Sequence, residues 1–174
     1  MIQKYSRYLV LEQFFDFPRK TFLVRELSRK INLSQPSVNL HLKALIREKL
    51  IVKQANHPYP VFKAVRENSF FKLLKTQNVV LRLYQTDFLE YLEKELYPAC
   101  IVLFGSASRG EDTETSDIDL FVQAKQEQLS LNKWEKVLNR KINILFETDT
   151  KSLGPELLNN LANGTVLYGY LKVA

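Results

Sequence analysis

The sequence is poor in the residues that build disulfide knots and loose hinges: one cysteine and five glycines in 174 residues. A single cysteine excludes an intrachain disulfide and leaves no partner for a thiolate metal knot. Cys100 precedes an apolar strand and reads as a buried structural thiol. No apolar run approaches the roughly 20 residues that span a bilayer, so no membrane partner is expected. The start, Met1-Ile2-Gln3-Lys4-Tyr5-Ser6-Arg7, is weakly basic but has no apolar signal core with a small-residue cleavage site. The expected location is therefore cytoplasmic. What is present is a globular composition, 45% hydrophobic and 25% charged. The length suits one domain or two small ones.

Charge is unevenly placed. Residues 1–66 hold 13 Lys/Arg against 4 Asp/Glu, a net +9, whereas residues 67–174 hold 12 against 15, a net −3. A basic front half and a mildly acidic back half imply two modules with different partners.

In the front half, Ile2, Tyr5, Leu9, Val10, Phe14 and Phe15 follow helical spacing up to Phe17-Pro18. An extended Thr21-Phe22-Leu23 precedes a second helix over about 24–31, with Val24, Leu27 and Ile31 inward and Arg25, Arg29 and Lys30 outward. Asn32-Leu33 makes a turn, and Ser34 is a good N-cap for a third helix to about Leu50, with Pro36 tolerated in its first turn. Residues 51–54 and 61–65 read as strands around a turn holding His57. By helical position, Gln35, Ser37, Asn39, Leu40, His41 and Lys43 face outward. Gln and Asn suit adenine edges, Lys43, Arg29 and Lys30 suit phosphates, and Lys53 and Lys63 add charge on the hairpin.

Helix, turn, helix and hairpin is a winged helix-turn-helix layout. The segment Glu26-Leu27-Ser28-Arg29-Lys30-Ile31-Asn32-Leu33-Ser34-Gln35-Pro36-Ser37-Val38-Asn39-Leu40-His41-Leu42-Lys43-Ala44-Leu45 resembles the winged-helix domains of ArsR- and MarR-like regulators. The resemblance implies a recognition helix from Gln35 onward in the major groove of double-stranded DNA. Protein docking is the alternative use of such a module; the +9 charge favours DNA.

Residues 67–97 are apolar at near-helical spacing, with Gln77-Asn78 as a candidate break. They read as a helical connector followed by the first helix of the next module. Such a helix pairs two protomers into a homodimer, the expected assembly, or packs within one chain.

The back half, 98–174, alternates strands and helices, as an α/β (α+β) module does. Its chemistry concentrates where Gly105-Ser106 follows the apolar run Ile101-Val102-Leu103-Phe104 and Asp117-Ile118-Asp119 precedes Leu120-Phe121-Val122. Strand alternation sends Asp117 and Asp119 to one face, where two close carboxylates call for a cation such as magnesium. A phosphate loop fails here, because Glu111 and Asp112 stand where lysine and Ser/Thr are required. A calcium loop fails for want of a central glycine over residues 112–117.

Leu103-Phe104-Gly105-Ser106-Ala107-Ser108-Arg109-Gly110 with Ser116-Asp117-Ile118-Asp119-Leu120 resembles the polymerase-β-like nucleotidyltransferases, especially the minimal MNT type. The resemblance implies that Gly105 and Ser106 hold a nucleoside triphosphate, ATP above others, and that Asp117 and Asp119 bind two magnesium ions as metal ligands and catalytic acids. Arg109 is a candidate phosphate contact, with a surface ion pair to Glu111 or Asp112 as the alternative. The pattern also implies a third acid on a later strand, and Asn143 in Lys141-Ile142-Asn143-Ile144-Leu145 stands in its place. Asparagine supplies no charge and cannot act as a base. Glu147, a candidate substitute with Asp149, lies about 13 Å further along the strand. Trp134 reads as a core residue.

Two functions follow as expectations. One is a DNA-binding regulator whose nucleotidyltransferase-like module binds nucleotide and magnesium with impaired catalysis. The other is an active enzyme transferring a nucleotidyl group, for example AMP, to a small molecule or a protein. Relatives of the back module occur as antitoxins that modify a HEPN toxin partner.

Overall fold

The computed structural model describes residues 5–55 and 58–172. In α1 (Ser6–Asp16) apolar side chains recur four apart, and Val10 with Phe14 and Leu11 with Phe15 are buried. The helix ends where Pro18 disfavours helical backbone at Phe17. β1 (Thr21–Leu23) leads directly into α2 (Val24–Ile31). Asn32 closes α2 with a left-handed φ of 54°, a conformation its short amide tolerates. Ser34 caps α3 (Gln35–Arg47), its hydroxyl accepting from the Ser37 N–H at 3.4 Å.

The sequence reading carries α3 to about Leu50, but it stops at Arg47. Lys49 turns left-handed at φ 58°, and the Leu50 N–H reaches back to the Leu45 carbonyl at 3.0 Å, which buries Leu50. β2 (Ile51–Gln54) and β3 (Val61–Ala64) pair antiparallel, and β1 takes the other edge of β3, giving the order β1-β3-β2. Phe14, Phe22, Leu27, Leu42, Leu45 and Phe62 form the core beneath. Phe14 and Phe22 meet edge-on at 5.2 Å.

α4 (Ser69–Gln85) starts from Asn68, whose Oδ1 accepts from the Phe70 and Phe71 N–H groups at 2.8 and 3.1 Å. The break expected at Gln77-Asn78 is absent. The helix runs through both residues and ends before Asp87, whose left-handed φ of 56° precedes α5 (Phe88–Leu96). A polar residue costs a helix interior less than about 0.7 kcal/mol, too little to stop one with buried neighbours. By its contacts the chain divides into Met1–Lys75 and Thr76–Ala174, so the boundary falls inside α4, beyond residue 66.

In the second unit, β4 (Cys100–Phe104), β5 (Ile118–Gln123), β6 (Ile142–Glu147) and β7 (Thr165–Gly169) form one mixed sheet in the order β6-β5-β4-β7. A short α6 (Gly105–Ser108) follows β4, and α8 (Pro155–Ala162) precedes β7. β5 and β6 are parallel, and their crossover carries α7 (Asn132–Leu138). Leu129 and Leu131, just ahead of α7, also pack on the core. Alternation divides the sheet into two faces. Ile101, Leu103, Leu120 and Ile142 pack with Phe88 and Trp134 on one. Cys100, Val102 and Phe121 pack with Leu161 on the other. Trp134 sits in the core, its indole N–H donating to the Thr86 carbonyl at 2.9 Å. Burial pushes the Cys100 thiol pKa up. Among the described residues no helix is long and apolar enough to cross a membrane.

Candidate functional site

The site in the second unit is assembled by strand register. β4 ends at Phe104 opposite Asp119 of β5, and Asp119 in turn lies opposite Asn143 of β6. Asp117, Asp119 and Asn143 thus share the sheet face of Phe121, and each is partly or wholly exposed. The Asn143 amide Nδ2 donates to Asp117 Oδ2 at 3.0 Å and to Asp119 Oδ1 at 3.2 Å. One neutral amide bridges two anions that would otherwise repel.

The turn after β4 closes on the same carboxylates. Gly105 has φ +71°, and a Cβ there would stand 2.5 Å from Asp119 Oδ2. Glycine is therefore needed both for the backbone and for room. The Ser106 carbonyl accepts from the Arg109 and Glu111 N–H groups at 3.2 and 3.0 Å, and the Ser108 hydroxyl donates to the Gly105 carbonyl at 2.9 Å, so the turn is tied to itself.

The loop that delivers Asp117 is fastened by a pair absent from the sequence-based site. Arg140 Nη2 meets Asp112 Oδ2 at 2.6 Å with the Asp112 side chain 1% exposed, and Arg140 Nε donates to the Ser116 carbonyl at 2.6 Å. The Ile118 N–H donates to the Lys141 carbonyl at 2.8 Å. Arg140 therefore joins the loop before β5 to the loop before β6, and so sets Asp117 against Asn143. The two partners lie 28 positions apart with no shared motif, so no sequence signal announces them. Beside Asp117 lies a polar cavity of about 500 Å³ lined by Glu114, Ser116, Asn132, Glu135 and Lys141 among others.

Other candidates lie elsewhere. Arg109 Nε pairs with Glu111 Oε2 at 3.0 Å on the surface. Glu147 pairs in register with Gln123, four strand positions beyond Asn143, and Asp149 accepts from the Lys151 N–H at 3.1 Å. Neither supplies a third carboxylate. Among the described residues no group of three or more His, Cys, Asp or Glu could hold a metal ion. Two carboxylates, with an amide oxygen available if Asn143 turns over, are an all-oxygen set suited to one magnesium ion completed by phosphate oxygens. They carry too little charge for a protein-held pair of ions, so the second implied ion does not fit.

In the first unit, Gln35, Asn39, Leu40 and Lys43 are exposed along α3. Ser37 and His41 are half-buried and meet at 3.4 Å between Oγ and Nε2. Desolvation, and then the Arg7 charge, lowers the His41 pKa. Gln35 and Asn39 line a cavity of about 360 Å³ with Arg25 and Tyr59, whose guanidinium and ring lie 5.7 Å apart. Arg25, outward by helical spacing, and Tyr59 thus join the exposed face of α3. Arg29 is exposed, whereas the Lys30 ammonium lies 3.7 Å from the Phe17 ring centroid, and its pKa is lowered chiefly by desolvation. Lys63 pairs with Val52, and Lys53 with the core residue Phe62, so the two hairpin lysines start from opposite faces of the sheet. His57 lies outside the described residues.

Residues 87–170 match the family model described as polymerase beta, nucleotidyltransferase. No curated protein matches the chain. Among solved structures, the chain is similar to a possible transcriptional regulator from Methanosarcina mazei Go1, at 18% identity and a TM-score of 0.36, over 53% of this chain and 79% of that one.

Proposed function

We propose that the polymerase-beta-like nucleotidyltransferase domain of residues 87–170 binds a nucleoside triphosphate with one magnesium ion without transferring it, and that residues 1–66 are a winged helix-turn-helix that binds double-stranded DNA. The protein is then a transcriptional regulator with a nucleotide-binding module. The observation that carries the binding-without-transfer reading is Asn143, whose amide occupies the register position opposite Asp119 and donates to both carboxylates. A magnesium ion would supply charge neutralisation for the triphosphate, held by Asp117 and Asp119. Gly105 leaves room for this by having no Cβ. What is missing is a group to take the proton from an acceptor hydroxyl, since an amide is no base at neutral pH.

Support for DNA binding comes from the +9 charge of residues 1–66 and from the exposed face of α3, where Gln35 and Asn39 stand beside Arg25 and Lys43 is exposed further along the helix. Arg29, Lys53 and Lys63 suit phosphates around it, and Ser37, Leu40 and His41 complete the helix face. Lys30 contributes charge from over Phe17.

A second reading, an active enzyme that adenylylates a protein acceptor such as a HEPN-type toxin, is favoured by the intact Asp117/Asp119 pair and the polar cavity beside it. Incubation with labelled ATP, magnesium and candidate acceptors separates the two. The expected result is nucleotide binding without transfer, lost in Asp117→Ala/Asp119→Ala. Transfer by the unaltered protein that the double variant abolishes favours the enzyme.

A further inference from the structure

Ionised carboxylates only accept hydrogen bonds, so an amide can bond two of them only through its nitrogen. That is the arrangement of Asn143, whose Nδ2 donates to Asp117 Oδ2 at 3.0 Å and to Asp119 Oδ1 at 3.2 Å. A cation held by the same oxygens would meet those amide hydrogens, and their partial positive charge repels it. To admit the ion, the Asn143 amide must turn over about its last side-chain bond and present Oδ1 instead. Asn143 therefore competes with a cation in one orientation and can ligate it in the other.

The competing orientation is held by those two bonds. Both go to charged acceptors, which bind more strongly than neutral ones. Strand register keeps the donor in place, since Asn143 lies opposite Asp119 on parallel strands. Asn143 is exposed, and among the described residues no donor bonds its Oδ1, so nothing else resists the turn. The oxygens of Asp119 are divided between two neighbours. Oδ1 accepts from the amide, while Oδ2 faces Gly105, where a Cβ would stand 2.5 Å away. Gly105 belongs to the turn proposed to hold the triphosphate. A cation that arrives carrying phosphate oxygens thus meets, on the nucleotide side, a carboxylate oxygen that the amide does not hold. A free cation brings only water to offset the two bonds it must break.

We infer that Asn143 is a specificity-determining residue: through it the site takes a divalent cation together with a nucleoside triphosphate and turns the free cation away. The inference rests on the nucleotide-binding reading above and adds the condition under which the metal enters. It is a coupling between two ligands of one site, set by the amide each must displace. A carboxylate at position 143 would do the reverse, because three neighbouring anions attract the free ion.

The test uses the full chain and manganese as the probe. Titration calorimetry follows the ion alone, and the ion added to protein saturated with a non-hydrolysable ATP analogue. Asn143→Ala removes the competing amide and leaves the two carboxylates bare. It should tighten the binding of manganese alone about 10-fold. With the analogue present it should leave manganese binding unchanged or weaken it, since Oδ1 is lost as a ligand. A residue that merely held the acids in place would weaken both titrations together, and that result overturns the proposal. A second measurement follows the Asn143 side-chain amide by nuclear magnetic resonance, its signals identified by their loss in Asn143→Ala. They should move with magnesium plus the analogue and stay in place with the same concentration of magnesium alone. Equal movement with magnesium alone overturns the proposal. If the analogue binds neither protein, the nucleotide reading fails, and the comparison with manganese alone still decides whether Asn143 opposes the free ion.

Discussion

At position 143 a carboxylate and its amide differ by one charge and by the ability to accept a proton, and the whole reading of the site turns on that difference. With asparagine the site carries two negative charges, enough for one magnesium ion, and the amide hydrogens hold Asp117 and Asp119 in place without metal. Gly105 makes a second residue-scale constraint. An alanine there would pay for its left-handed φ and collide with Asp119 Oδ2. Gly105→Ala should destabilise the second unit by about 1–2 kcal/mol and weaken MgATP binding, as urea denaturation and titration calorimetry would read. His41 offers a pH signature. Its folded-state pKa is lowered by desolvation, so the folded protein binds fewer protons than the unfolded chain. Its contribution to stability is present above the ordinary histidine pKa of about 6.5 and is lost as pH falls through the lower folded value. The effect is small because the ring is only half-buried, and it should be absent from the pH profile of His41→Gln.

At the scale of elements, the site depends on β5 and β6 holding register, and the Arg140–Asp112 pair fastens the loops that enter them. Arg140→Met would take the guanidinium away from the buried Asp112 carboxylate, at a cost of about 3 kcal/mol. MgATP affinity should fall with it, whereas an Arg7→Met control, which breaks an exposed pair with Glu48, should cost under about 1 kcal/mol. Thermal melts of the two variants separate these outcomes. The same elements mark what the sequence made legible. The Gly-Ser turn and the Asp-x-Asp alternation could be read locally, because each lies within one strand and its adjoining turn. That Asn143 faces both acids followed only from the parallel register of β5 and β6. The Arg140 clasp, the opposite faces of Lys53 and Lys63, and the uninterrupted α4 were set by packing between distant segments, which local spacing does not encode. Helical position turns Lys30 outward as a phosphate contact, but the Phe17 ring draws its ammonium aside.

For the whole molecule, the proposed DNA contacts lie in the +9 front half and the proposed nucleotide site in the −3 back half. DNA affinity should fall steeply with salt. Lys43→Ala should shallow the log K against log salt slope by about 1, as fluorescence anisotropy at several salt concentrations would read. A response flat in salt would count against the DNA reading. The central claim, a nucleotide site built for binding and not for transfer, is tested most directly by counting ions. Manganese should be titrated, with paramagnetic resonance detection, into the protein saturated with a non-hydrolysable ATP analogue, alongside Asn143→Asp. The account predicts one bound ion for the natural chain and two for Asn143→Asp. Two ions in the natural chain, accompanied by nucleotidyl transfer from ATP, would contradict it.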